Sequence, residues 1–208
     1  MAHDDALYRQ VLNSSALTFP DGAPVARLMR KRGFETERVA GPDFMEEVFK
    51  LTARDGRLSH FFYGSSEKTL ALLKERLNSR FPGIRIAGMY SPPFRELTKE
   101  EDEAVTERIK SSGAELIWIG LGAPKQEKWM FKHKGAFCGV MLGVGAGFDF
   151  HAGTVKRAPL SWQRLGLEWL YRLISDPRRL FKRYLVTNTK FILYTAGMGR
   201  TGSKRKKK

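Results

Sequence analysis

One cysteine, Cys138, in 208 residues leaves no partner for a disulfide within the chain. That excludes a disulfide-stapled scaffold and any paired-cysteine zinc or redox motif, and fits a reducing, cytoplasmic setting. Cys138 stands between Phe137 and Gly139-Val140 and is expected to be a small buried hydrophobe. Histidine is scarce too: His3, His60, His133 and His151 show no metal-ligand spacing. His60, in Ser-His-Phe-Phe, reads as a satisfied strand histidine, and His151, beside Phe150 and Ala152, is the one with a candidate chemical role. No Asp-x-Asp pair, Walker A sequence or Gly-x-Ser-x-Gly elbow occurs. Gly143-x-Gly145 lacks the third glycine and the later acid of a dinucleotide fingerprint, which argues against NAD. The N-terminus has no charged-then-apolar leader pattern, and no apolar stretch reaches the ~18 residues of a spanning helix.

What is present is a charge imbalance. The formal charge is +15, yet residues 1–155 carry only +2, while Lys156 to Lys208 hold fifteen Lys or Arg against Glu168 and Asp176, or +13. A segment of that kind seeks a polyanion: a membrane surface, a nucleic acid or a phosphate-rich substrate.

Along the chain the periodicity alternates. Helices are expected over Asp4–Leu12, from after the Pro20-Asp21-Gly22 turn through Arg32, and over Gly41–Arg54, Ser66–Arg80, Thr98–Ser112 and Pro124–Lys134, with strands at Ala16–Phe19, Leu58–Tyr63, Ile84–Met89, Glu115–Leu121 and Ala136–Leu142. This is an α/β pattern: a Rossmann-like parallel sheet with helices on both faces. Thr98-Lys99-Glu100-Glu101 reads as a capped helix start, and Glu100 to Glu103 as a solvated acidic face. After Gly153 only helical periodicity remains. Residues 1–155 are therefore expected as the α/β core, 156–198 as a basic amphipathic helical appendage in two helices, and 199–208 as a disordered basic tail.

Two strand ends hold polar residues that packing does not require. Leu116–Leu121 runs into Gly122-Ala123-Pro124-Lys125-Gln126-Glu127, where Pro124 suits the first helical turn and the free N–H groups would form an anion site. The next strand ends in Gly143-Val144-Gly145-Ala146-Gly147, glycines that let backbone approach a ligand. Both loops are expected to face one crevice.

Seven blocks carry a resemblance: PDGAPVA (Pro20 to Ala26), VAGPDF, FFYGSS, SPPFREL, GLGAPKQEKW, GVGAGFDFHAGTVKRAP and GLEWLYRLISDPRRLFKRY, in that order. With this set, the chain resembles the WecG/TagA/CpsF glycosyltransferases from Asp4 to about Phe191. The resemblance implies an inverting, metal-independent transferase without a cofactor. It would move an N-acetylmannosamine-type or hexose unit from a UDP-sugar to a polyprenyl-diphosphate-linked glycan acceptor, in cell-surface polysaccharide biosynthesis. The expected location is cytoplasmic, on the anionic inner face of the cell membrane; a homo-oligomer is compatible with this and no nucleic acid is expected. Members of that family generally carry a further strand and helix before the segment equivalent to Ala6, so an exposed sheet position is expected here. Two rival readings are a catalytically inactive scaffold and a basic nucleic-acid-binding protein.

Such a reaction needs a base for the acceptor hydroxyl and positive charge for the departing diphosphate. Asp21, in a Pro-Asp-Gly turn at a strand end, is the base candidate, against the plainer reading of a turn aspartate. The resemblance favours the first reading. With no Asp-x-Asp pair, Arg172, Arg179 and Arg183 are the candidates for the diphosphate, since guanidinium forks bind phosphate and stay charged; the resemblance implicates all three. Gln126, Lys125, Gly122, Gly143 and Gly145 are candidate donor-binding positions, and Tyr63 and Gly64, at another strand end, border the uracil or ribose. Glu127 reads as a helix N-terminal charge, and Pro92-Pro93-Phe94 as an apolar wall.

Overall fold

The computed structural model describes the backbone of residues 5–202, and side chains there apart from Arg164, Arg179, Lys182, Arg183 and residues 196–202. Contacts divide the chain into two units, Met1–Lys156 and Arg157–Lys208.

The first unit is α/β. Its elements are α1 (Ala6–Asn13), α2 (Ala23–Lys31), α3 (Gly41–Asp55), β1 (Ser59–Gly64), α4 (Glu67–Arg80), β2 (Arg85–Tyr90), α5 (Lys99–Ser111), β3 (Leu116–Gly120), α6 (Lys125–Lys132), β4 (Val140–Gly143) and α7 (Gly147–Ala152). The four strands form one parallel sheet in the order β2-β1-β3-β4. β1 is buried along its whole length, as befits a central parallel strand covered on both faces. Its side chains alternate between two cores. Phe62, with Trp118 of β3, packs on Met45, Phe49, Leu73, Leu77 and Phe148 from α3, α4 and α7. Phe61 and Tyr63, with Ile117 and Ile119, pack on Val105 and Ile109 of α5 and on Trp129 of α6.

Caps set several helix starts. Ser66 Oγ accepts from Thr69 N at 3.2 Å before α4, and Thr98 and Glu101 form the reciprocal capping box expected from their spacing.

Five expectations for this unit need correction. Ala16–Phe19 forms no strand; Leu17 is exposed, and Phe19 lies against Phe44 with ring centroids 5.8 Å apart. The last strand begins at Val140 rather than Ala136, because the turns that end α6 run on to Ala136, whose N–H donates to His133 O at 3.0 Å, and Val140 N–H donates to Glu115 O at 2.8 Å where the chain enters the sheet. Cys138, left in that entry loop, is exposed rather than buried. The acidic run is not all solvated: Asp102 falls on the inward stripe with Val105 and Ile109. Trp129 Nε1, Lys132 Nζ and His133 Nε2 meet its carboxylate at 3.1, 2.6 and 3.2 Å. Burial opposes that carboxylate, but these donors outweigh it and hold its pKa below the ordinary value. Finally, α7 had no counterpart among the expected helices.

The second unit is helical: α8 (Leu160–Leu165), α9 (Glu168–Ser175) and α10 (Pro177–Gly202). The first expected helix is two, because Gly166 takes a left-handed φ of 75° and ends α8. Trp162 meets Tyr171 edge-on at 5.9 Å, and Trp169 meets Tyr184 at 6.2 Å. Residues 199–202, expected in the tail, continue α10, while 203–208 lie outside the described residues. Among the described residues no helix is long and apolar enough to cross a membrane.

Candidate functional site

The chain reverses its direction of growth at the middle of the sheet. β1 leads outward to β2, then β3 returns to the other side of β1 and leads to β4. In open parallel sheets the loops leaving two such strands part, and a ligand crevice opens at their carboxyl ends. Here those ends touch. Gly64 has φ 126°, and a Cβ on it would lie 2.6 Å from the carbonyl carbon of Gly120. Ser65 follows with φ 60°, rare for a residue with a side chain, and Ser91 Oγ donates to its carbonyl at 2.8 Å. Backbone therefore forms the floor at this point.

Beside it, the loops after β3 and β4 are joined. Gly122 takes φ 77°, its carbonyl accepts from Gln126 N at 3.0 Å, and α6 starts at Lys125. Gln126 is 6% exposed; its Oε1 accepts from Gly145 N at 3.0 Å and its Nε2 donates to Glu127 Oε1 at 2.9 Å. Gly143 leaves room for this side chain, since a Cβ there would come within 3.1 Å of Gln126 Nε2. Four expected positions, Gly122, Gln126, Gly143 and Gly145, are thus brought together, with Lys125 exposed at the rim. The amide of Gln126 is occupied by Gly122, so the helix start offers fewer open donors than its sequence promises.

Asp21 reaches the same end of the sheet by another route. Pro20 O accepts from Val39 N at 3.1 Å, and Gly41, two residues on, lies 3.1 Å (by its absent Cβ) from Val144 O. The Asp21 side chain is 75% exposed, with Arg38 NH2 3.9 Å from its Oδ1; Arg38 Nε also donates to the Asp21 carbonyl at 2.7 Å. A cation thus faces the candidate base and fixes its turn. Sequence reasoning missed Arg38, and its only signal was a basic residue following Glu35-Thr36-Glu37, three residues before Gly41-Pro42.

Other candidates lie elsewhere. Tyr63 is fully buried, its ring stacked on Tyr90 at 6.2 Å and set 4.8 Å from Trp129, and burial pushes its phenol pKa up. Gly64 is buried as well, and the first partly exposed residue at this strand end is Ser65. Pro92 is buried, but Phe94 turns outward, 87% exposed. His151 is buried and its Nε2 donates to Pro42 O at 2.9 Å, tying α7 to α3. Among the described residues no three His, Cys, Asp or Glu side chains gather as they would around a metal ion. Arg172 is half-buried on α9 of the second unit, and the side chains of Arg179 and Arg183 lie outside those described.

Comparison of the sequence with known families gives one finding: the glycosyl transferase WecG/TagA/CpsF family matches residues 1–205.

Proposed function

Because the chain belongs to the WecG/TagA/CpsF glycosyltransferase family, whose members build cell-surface polysaccharide, we propose that it is an inverting, metal-independent transferase. Its donor is a UDP-sugar carrying an N-acetylmannosamine-type or hexose unit, and its acceptor a polyprenyl-diphosphate-linked glycan on the anionic inner face of the membrane.

In this mechanism the acceptor hydroxyl attacks the anomeric carbon from the face opposite the diphosphate. The new carbon–oxygen bond forms as the bond to the diphosphate oxygen breaks, and the hydroxyl proton passes to the Asp21 carboxylate. Negative charge then grows on the diphosphate, and Arg172, Arg179 and Arg183 supply the opposing charge. Gly122, Gly143 and Gly145 let the donor approach the backbone, while Lys125 provides charge at the rim. The observation that carries this reading is that Gln126 joins the glycine loops after β3 and β4, beside the strand ends where the sheet order reverses.

A panel of UDP-sugars tested by thermal shift, followed by addition of a lipid-diphosphate acceptor to the stabilising donor, tests it. A ligand that binds only the folded state raises the melting point by mass action. The reading expects one UDP-sugar to stabilise and then to be consumed on acceptor addition. Stabilisation without transfer supports the scaffold alternative, and no stabilisation by any UDP-sugar contradicts the donor site.

A further inference from the structure

The Gln126 side chain is held in one orientation, and the residue that holds it is Glu127. A carboxamide presents an oxygen on one side and two N–H groups on the other, and neighbours decide which faces where. The Gly145 amide can only donate, so it requires the Gln126 oxygen; the Glu127 carboxylate accepts, so it requires the Gln126 nitrogen. Both bonds, at 3.0 and 2.9 Å, exist in one arrangement only. Glu127 gains little from this for itself. Its second oxygen, Oε2, is buried with no hydrogen-bond partner, an arrangement that costs stability and therefore points to a role other than stability.

We propose that Glu127 is a positioning residue for glycosyl transfer: it orients the Gln126 amide so that Gln126 acts as a strut clamping the Gly143–Gly145 loop to the start of α6. The role rests on the reading of these loops as the donor site. It predicts that the shape of the pairing matters, and not which member carries the charge. In Gln126→Glu alone, two carboxylates face each other and the strut fails. In Gln126→Glu combined with Glu127→Gln, the carboxylate at position 126 still accepts from Gly145 N–H, and the amide at 127 donates to its other oxygen.

The test pairs amide hydrogen exchange at Gly145 with donor KM and kcat on the full chain. Gly145 should exchange at least about tenfold faster in Gln126→Glu and in Glu127→Ala than in the parent. It should return to within about threefold of the parent in the double exchange, with donor KM following the same order and kcat nearly constant. Glu127→Gln, which keeps an acceptor for Gln126 Nε2, should stay close to the parent and serves if the charged variant does not fold. Unchanged Gly145 exchange in Glu127→Ala overturns the proposal, as does a double variant no better than Gln126→Glu. Restored exchange with unrestored KM also overturns it, by placing Gln126 on the donor itself. Failure of the donor-site reading looks different: the parent then neither binds nor turns over a UDP-sugar, whatever Gly145 exchange reports.

Discussion

At the scale of single residues, His60 shows how neighbours fix a protonation state. Trp118 Nε1 donates to its Nδ1 at 2.9 Å, so the ring proton sits on Nε2 and points to Thr52 Oγ1, also at 2.9 Å. The Thr52 hydroxyl in turn donates to Val48 O at 2.8 Å. Burial lowers the His60 pKa from 6.5 to about 4, with Glu115 opposing weakly. A base whose folded pKa is depressed contributes stability that is complete above its unfolded value and is lost as pH falls through 6.5 toward 4; the loss approaches ~3 kcal/mol. Nitrogen-labelled imidazole spectra should therefore show the neutral Nε2–H form of His60 unchanged from pH 8 down to about 5. A midpoint near that of a free imidazole would contradict the chain of bonds. Arg38 is the residue-scale finding closest to the chemistry. Replacing it with Ala removes the cation 3.9 Å from Asp21 and the bond that fixes its turn, and turnover should fall by about tenfold or more while the melting temperature changes little. Turnover equal to the parent would separate Arg38 from the site.

At the scale of elements, the strand ends are where backbone geometry leaves no latitude. A Cβ at Gly64 meets the Gly120 backbone at 2.6 Å and must adopt φ 126°. Gly64→Ala should therefore cost about 2 kcal/mol or more, read as a shift in urea midpoint, and should also weaken donor binding. A variant as stable as the parent would show that β1 and β3 can part there. The same scale explains what the sequence made legible. Helices with caps and long periodic stretches, such as α4 and α5, matched to within a residue or two, because Ser66, Thr98 and the buried Leu70, Leu73 and Leu77 speak locally. β1 and β3 were readable from their apolar runs. The start of β4 was not, since the turns after α6 hold the chain as far as Ala136 and Val140 N–H bonds to Glu115 O, a partner distant in sequence. Nor was α7, whose glycine-rich start hides a short helix that closes over the Phe62 core. The glycine loops and Gln126 were legible as candidates by type, but their pairing through Gly145 and Glu127 was not, because amide orientation depends on partners nineteen residues away and next door at once.

At the scale of the whole molecule, charge is concentrated where the second unit lies. Its helices expose Phe181, Leu185, Ile192 and Leu193 on a segment rich in Lys and Arg. Each basic residue near an anionic surface contributes roughly 1 kcal/mol, screened within a Debye length of ~8 Å at physiological salt. The full chain should float with anionic vesicles at low salt and largely detach at high salt, leaving a salt-resistant fraction from the apolar side chains. Removing Lys204–Lys208 should weaken flotation and spare transfer. Equal flotation on neutral and anionic vesicles would contradict the electrostatic account. The central claim is transfer from a UDP-sugar with Asp21 as the base and no metal. Its most direct test is the initial rate of sugar transfer to a lipid-diphosphate acceptor in excess EDTA, for the parent and for Asp21→Asn side by side. The account predicts an active parent and a variant slower by ~10²–10⁴-fold that still binds UDP. A variant within about twofold of the parent, or a parent silent until Mg²⁺ or Mn²⁺ is restored, would contradict it.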